Sequence, residues 1–138
     1  MRFRVREAIV LLLALICSPS VFAELFKTDS QWENDFWRLA TTYVAVAEIC
    51  SNFKQATEIA NRAVKIVYER HPLAEWSPLM EDMLLRADSL RKAQIAGLSD
   101  NQLQARFCAD QPAILFGYER LERTFLSAIK DNKDKKRF

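Results

Sequence analysis

Glycine is nearly missing from this 138-residue chain, which carries 2 glycines, 4 prolines and a single histidine. Sheet proteins turn their strands on glycine and its turn-forming companions, and no stretch here alternates apolar and polar residues by twos. Strands therefore have neither pattern nor corners. The scarcity of histidine leaves His71 as the sole imidazole base for a Ser-His-Asp or Cys-His nucleophile. It stands beside Pro72, where a histidine serves the carbonyls and dipole of a helix end. No Cys-x-x-Cys or His-Glu-x-x-His spacing occurs, so no metal site is expected. A P-loop, a dinucleotide glycine motif and a c-type haem motif are also missing, so no cofactor is expected. No apolar run approaches the roughly 20 residues that cross a bilayer.

The longest such run, residues 8–17, follows Arg2, Arg4 and Arg6 and precedes Pro19 and the small-residue pattern Val21-x-Ala23. That order is the grammar of a cleaved secretory signal peptide over residues 1–23. Bulky Ile16 argues against lipid attachment at Cys17. Loss of the leader removes Arg2, Arg4, Arg6 and Glu7, and the 20 basic and 18 acidic residues become 17 and 17. Five of the positive charges fall in the last nine residues against two negatives, so the body is slightly acidic and nothing in it resembles the concentrated basic face that a nucleic-acid binder needs. Residues 24–130 are expected to form one domain. Residues 131–138, rich in lysine, are expected to be a frayed, solvated tail.

Two cysteines outlast the leader, Cys50 and Cys108. In an exported chain an even count predicts a disulfide, and two thiols allow one pairing.

What the chain has in plenty is helical pattern. Trp32, Phe36, Leu39, Tyr43, Val46, Cys50 and Phe53 repeat by four and three, the spacing of a packing seam on one helix face. Ser30 and Glu33 have the spacing of a capping box, which places helix one over 31–50. Ala56, Ile59, Ala60, Ala63, Ile66 and Val67 predict an amphipathic second helix, with Asn52 as its cap after a break. Ser77 and Pro78 supply a cap and a first-turn proline for helix three over 78–96, with Met80, Met83, Ala87 and Leu90 inward. Gly97, the Ser99–Gln102 pair and the staple positions Leu98 and Leu103 predict a tight turn into helix four. Helix four carries Phe107, Ile114, Tyr118, Leu121, Phe125 and Ala128 inward, and Pro112 forces a kink or a fresh start capped by Asp110. Gly117 within it predicts a close approach of two helices.

The fold class is thus all-α: a small antiparallel four-helix bundle with one interhelical disulfide. The alternative is a three-helix arrangement with helices one and two continuous. Up-down-up-down topology brings the end of helix one to the start of helix four, so Cys50 and Cys108 meet.

No catalytic residue is expected. Glu33 and Asp35, Glu81 and Asp82, and Glu119 and Glu122 read as solvated faces, not as shielded acid-base pairs. Trp37, one residue off the seam, and Trp76, at the turn before helix three, are the candidate partner contacts. The functional expectation is a periplasmic or secreted, non-enzymatic module that binds another protein: an inhibitor, an immunity protein or an accessory subunit of an envelope complex. The alternatives are a periplasmic stress chaperone and, last, a carboxylate-dependent hydrolase. No membrane insertion after cleavage is expected, and a homodimer is compatible with the pattern.

Overall fold

The computed structural model describes residues 27–135. The expected leader, residues 1–23, and the last three residues of the basic tail lie outside that range. Five helices follow in order: α1 (Asp29–Ile49), α2 (Phe53–Arg70), α3 (Trp76–Ile95), α4 (Asp100–Phe107) and α5 (Gln111–Lys135). No strand occurs among the described residues.

Helix α1 opens one turn-fragment earlier than expected. Thr28 caps it, accepting from the Gln31 backbone N–H at 3.3 Å, and the Gln31 side chain accepts from the Thr28 N–H at 2.8 Å. Ser30 and Glu33 therefore do not form the box. Glu33 is drawn away by tertiary partners, accepting from Arg70 Nε at 3.2 Å and lying 2.8 Å from His71 Nε2.

The break after α1 is real, so the continuous-helix alternative does not hold. Ser51 takes a left-handed conformation with φ +56°, and the Asn52 side chain caps α2 through the Gln55 N–H at 3.2 Å. A left-handed non-glycine residue costs about 1–2 kcal/mol. The bonded corner around it, with the Asn52 N–H donating to the Ala47 carbonyl at 2.9 Å, offsets that cost.

Helix α1 is the centre of the molecule and packs on α2, α3 and α5. Helix α2 runs antiparallel to it, since Arg70 meets Glu33. Helix α3 runs parallel to it, because Trp37 meets Asp82 low on the pair and Glu48 meets Arg91 near the top. Helix α5 returns antiparallel: Phe36 stacks on Phe125 at 4.6 Å between centroids, and Tyr43 meets Tyr118 edge-on. Helix α2 packs on α3 and more lightly on α5, while α3 and α5 share no seam. The bundle is a rhombus with α1 and α2 on its short diagonal.

This centrality alters the expected seam. Phe36 and Cys50 are buried, and Trp32, Leu39, Tyr43 and Val46 are half-buried. Ala40, Thr41, Val44, Ala45 and Ala47 are buried as well, because α1 has neighbours on three sides where a one-face stripe serves only one. Phe53 is not in the seam at all: as the first residue of α2 it is 65% exposed. In α2, Val64 is buried where Ile66 was expected and Ile66 is half-buried.

Helix α3 starts at Trp76 with Glu75 in the cap position and no side-chain cap bond. Ser77 is thus inside the first turn and does not cap. The α3–α4 turn follows its signals: Gly97 has φ +77°, and Ser99 and Gln102 exchange both bonds of a capping box. Pro112 gives a fresh start, not a kink. Helix α4 ends before Cys108, and Asp110 Oδ1 accepts from the Ala113 N–H at 3.3 Å at the head of α5. Helix α5 then continues to Lys135, past Lys130 where fraying was expected. Asn132 fixes it to the start of α1, donating to the Lys27 carbonyl at 3.2 Å and to Asp29 Oδ1 at 2.9 Å.

Candidate functional site

Cys50 closes α1 and Cys108 closes α4. Their sulfurs are bonded across a Cα separation of 5.5 Å, and both residues are 7% exposed. The pairing ties the central helix to the α4–α5 segment, as the antiparallel path requires. Buried, oxidised sulfurs of this kind hold structure and do not perform thiol chemistry.

The two candidate contact tryptophans are not brought together as one pair. Trp37 is half-buried between α1 and α3, and its indole N–H donates to Asp82 Oδ2 at 2.8 Å. Asp82 also accepts from Arg86 Nε at 2.9 Å. Trp37 is therefore part of the α1–α3 joint. Trp76 opens α3 at the α2–α3 corner, 37% exposed, with its ring edge-on to Tyr68 at 5.7 Å. Tyr68 is 43% exposed and Leu73, in the turn between them, is 96% exposed.

Of the six carboxylates expected on solvated faces, Glu33, Asp82 and Glu122 tie helices together, while Glu81 is exposed. Arg62 holds Glu122 through Nε and Nη2, each at 3.2 Å, joining α2 to α5. Glu33 joins α1 to the end of α2 through Arg70 and His71. His71 thus serves a carboxylate where a carbonyl partner was expected. Between Arg62 and the core lies Tyr118, fully buried, whose hydroxyl has no hydrogen-bond partner among the described residues. Burial pushes its phenol far above the usual range, so it stays neutral. No group of three or more histidine, cysteine or carboxylate side chains that could hold a metal occurs among the described residues.

Two surface hollows flank α3. A recess of about 580 Å³ at the disulfide end is lined by Ile49, Phe53, Leu84, Ile95 and Leu103, with Glu48, Asp88 and Arg91 on its polar side. Burial pushes the Glu48 carboxyl up, Arg91 at 3.7 Å opposes this, and Asp88 adds to it. A second groove, between α1 and α3, has a volume of about 370 Å³. Sequence reasoning did not find either hollow. Leu84 and Leu85 were the available signal, since adjacent leucines cannot both face one core.

Helix α3 is where apolar character exceeds burial. It buries only Met83 and Ala87, while Trp76, Leu84 and Leu85 are 37%, 44% and 61% exposed. No helix among the described residues is long and apolar enough to cross a membrane. Compared with protein-family models, with curated proteins and with solved structures, the chain matches none.

Proposed function

We propose that this chain is an exported, non-enzymatic helical module that binds another protein in the periplasm or outside the cell. The observation that carries the reading is the α2–α3 corner, where Tyr68, Leu73 and Trp76 stand exposed within nine residues of a well-packed scaffold. Exposed apolar groups clustered on a small domain mark interaction surfaces, and tryptophan and tyrosine are enriched among the residues that dominate binding. Beneath the corner, Arg70 and His71 hold Glu33, so the aromatic pair sits on a braced base and loses little freedom on binding. The disulfide and the leader-like first 23 residues support the location. An inhibitor, an immunity protein and an accessory subunit all use such a surface.

The test is capture from envelope extract by the mature chain, residues 24–138, compared with Leu73→Asp and Trp76→Ala. The reading expects both variants to keep the wild-type circular dichroism and to lose the captured protein. Capture that is equal for all three proteins contradicts it. Trp37→Ala is the wrong probe, because it removes the bond to Asp82 and loosens the α1–α3 joint.

A further inference from the structure

The α1–α3 groove, remote in character from the aromatic corner, has a chemistry of its own. Its lining is Arg38 and Thr41 from α1 with Leu85, Arg86, Ser89 and Leu90 from α3. Two of the six are arginines and none is acidic. Arg38 is exposed and enters no ion pair among the described residues, whereas Arg62, Arg70 and Arg91 each hold a carboxylate on another helix. Arg86 shares its one carboxylate, Asp82, with the Trp37 indole. The rest of the lining offers an apolar face, with Leu85 61% exposed and Leu90 half-buried.

We infer that this groove binds a small single-chain anionic amphiphile, a carboxylate or phosphate head on an aliphatic body. The head sits between Arg38 and Arg86, and the chain lies on Leu85 and Leu90. Guanidinium presents paired donors that match carboxylate and phosphate oxygens, which excludes cations and disfavours neutral lipids. The leucines disfavour a wholly polar anion. The volume, about 370 Å³, falls within the range of small-ligand sites. The exposed Ser89 hydroxyl can add a hydrogen bond to the head, whereas Thr41, 1% exposed, already donates to the Trp37 carbonyl at 2.7 Å. This site is independent of protein binding at the corner, and either can fail without the other.

The groove contains its own reporter. An anion that engages Arg86 changes the sharing of Asp82, and Asp82 accepts directly from Trp37 Nε1. The experiment is a titration of the ¹⁵N-labelled mature chain with sodium decanoate below its micelle-forming concentration. The three tryptophan indole N–H resonances are followed, with decyltrimethylammonium and sodium acetate as controls. The inference expects the Trp37 resonance to shift saturably with decanoate while those of Trp32 and Trp76 stay in place, and no saturable shift with either control. Arg38→Glu and Leu85→Asp, both at exposed positions, each weaken the decanoate response about tenfold or more, the loss expected when one charge-assisted or apolar contact is inverted. A stationary Trp37 resonance overturns it. So does joint movement of all three indoles, an equal response to the cationic amphiphile, or unchanged affinity in both variants. Replacing decanoate with decyl phosphate separates a carboxylate head from a phosphate head.

Discussion

At Gly117 one missing methyl group makes room for a ring from the facing helix. A Cβ built there would lie 2.7 Å from Tyr43 Oη and 3.0 Å from Tyr43 Cζ, so an alanine methyl would have to displace the Tyr43 ring. Alanine would gain about 1 kcal/mol of helix propensity, but overpacking typically costs about 1–3 kcal/mol. Gly117→Ala is therefore expected to lower stability in urea denaturation, and to cost less in a Tyr43→Ala background than in the wild type. Glu48 gives a pH-dependent case. Its folded pKa is raised by burial, so its ionisation costs stability, fully above the raised value and not at all below the unfolded one. Glu48→Gln should raise the melting temperature at pH 7, and the gain should shrink as pH falls through the raised pKa. A gain that grows with acid contradicts this. The caps show why single residues are hard to read from sequence. Thr28 with Gln31 and Ser30 with Glu33 both have capping-box spacing, and the choice is made by Arg70 and His71, which claim Glu33 from 37 and 38 residues away along the chain.

Among the four long helices, α3 is the one least invested in the core. Helix α1 buries Phe36, Ala40, Thr41, Val44, Ala45 and Ala47, whereas α3 buries Met83 and Ala87. Elements with few buried contacts open at lower free energy than the molecule as a whole. Amide hydrogen exchange should therefore release α3 before α1, with the amides of residues 40–47 the slowest. Equal protection of the two helices would show that α3 is held by more than its packing. Element identity was largely legible. Residues 99–102 marked the α3–α4 turn by chemistry that is local, and Asn52 marked the α1–α2 break. What was not legible is the share of each face. A stripe stepped by four and three identifies the α5-facing side of α1, but the small residues Ala40, Ala45 and Ala47 carry no pattern until α2 and α3 are in place. The candidate site was partly legible for the same reason. Trp76 emerged at the exposed corner, while Trp37 became a joint because Asp82 is set opposite its indole.

On the scale of the molecule, one covalent link and one central helix organise the rest. The Cys50–Cys108 bond closes a span of 58 residues, for which the chain-entropy model gives about 4 kcal/mol. That is a large part of the roughly 5–15 kcal/mol available to a small domain. The double variant Cys50→Ser, Cys108→Ser should lose about that amount in equilibrium unfolding, and a loss near zero would mean that the helices find their places unaided. Export is the condition under which such a bond forms and persists. The most direct measurement is intact-mass analysis, after alkylation without reduction, of the protein recovered from its natural host. The account predicts a chain beginning at Glu24, two hydrogens lighter than its reduced form, with neither cysteine alkylated. A chain that retains Met1, or that takes up alkyl groups at Cys50 and Cys108, would contradict it.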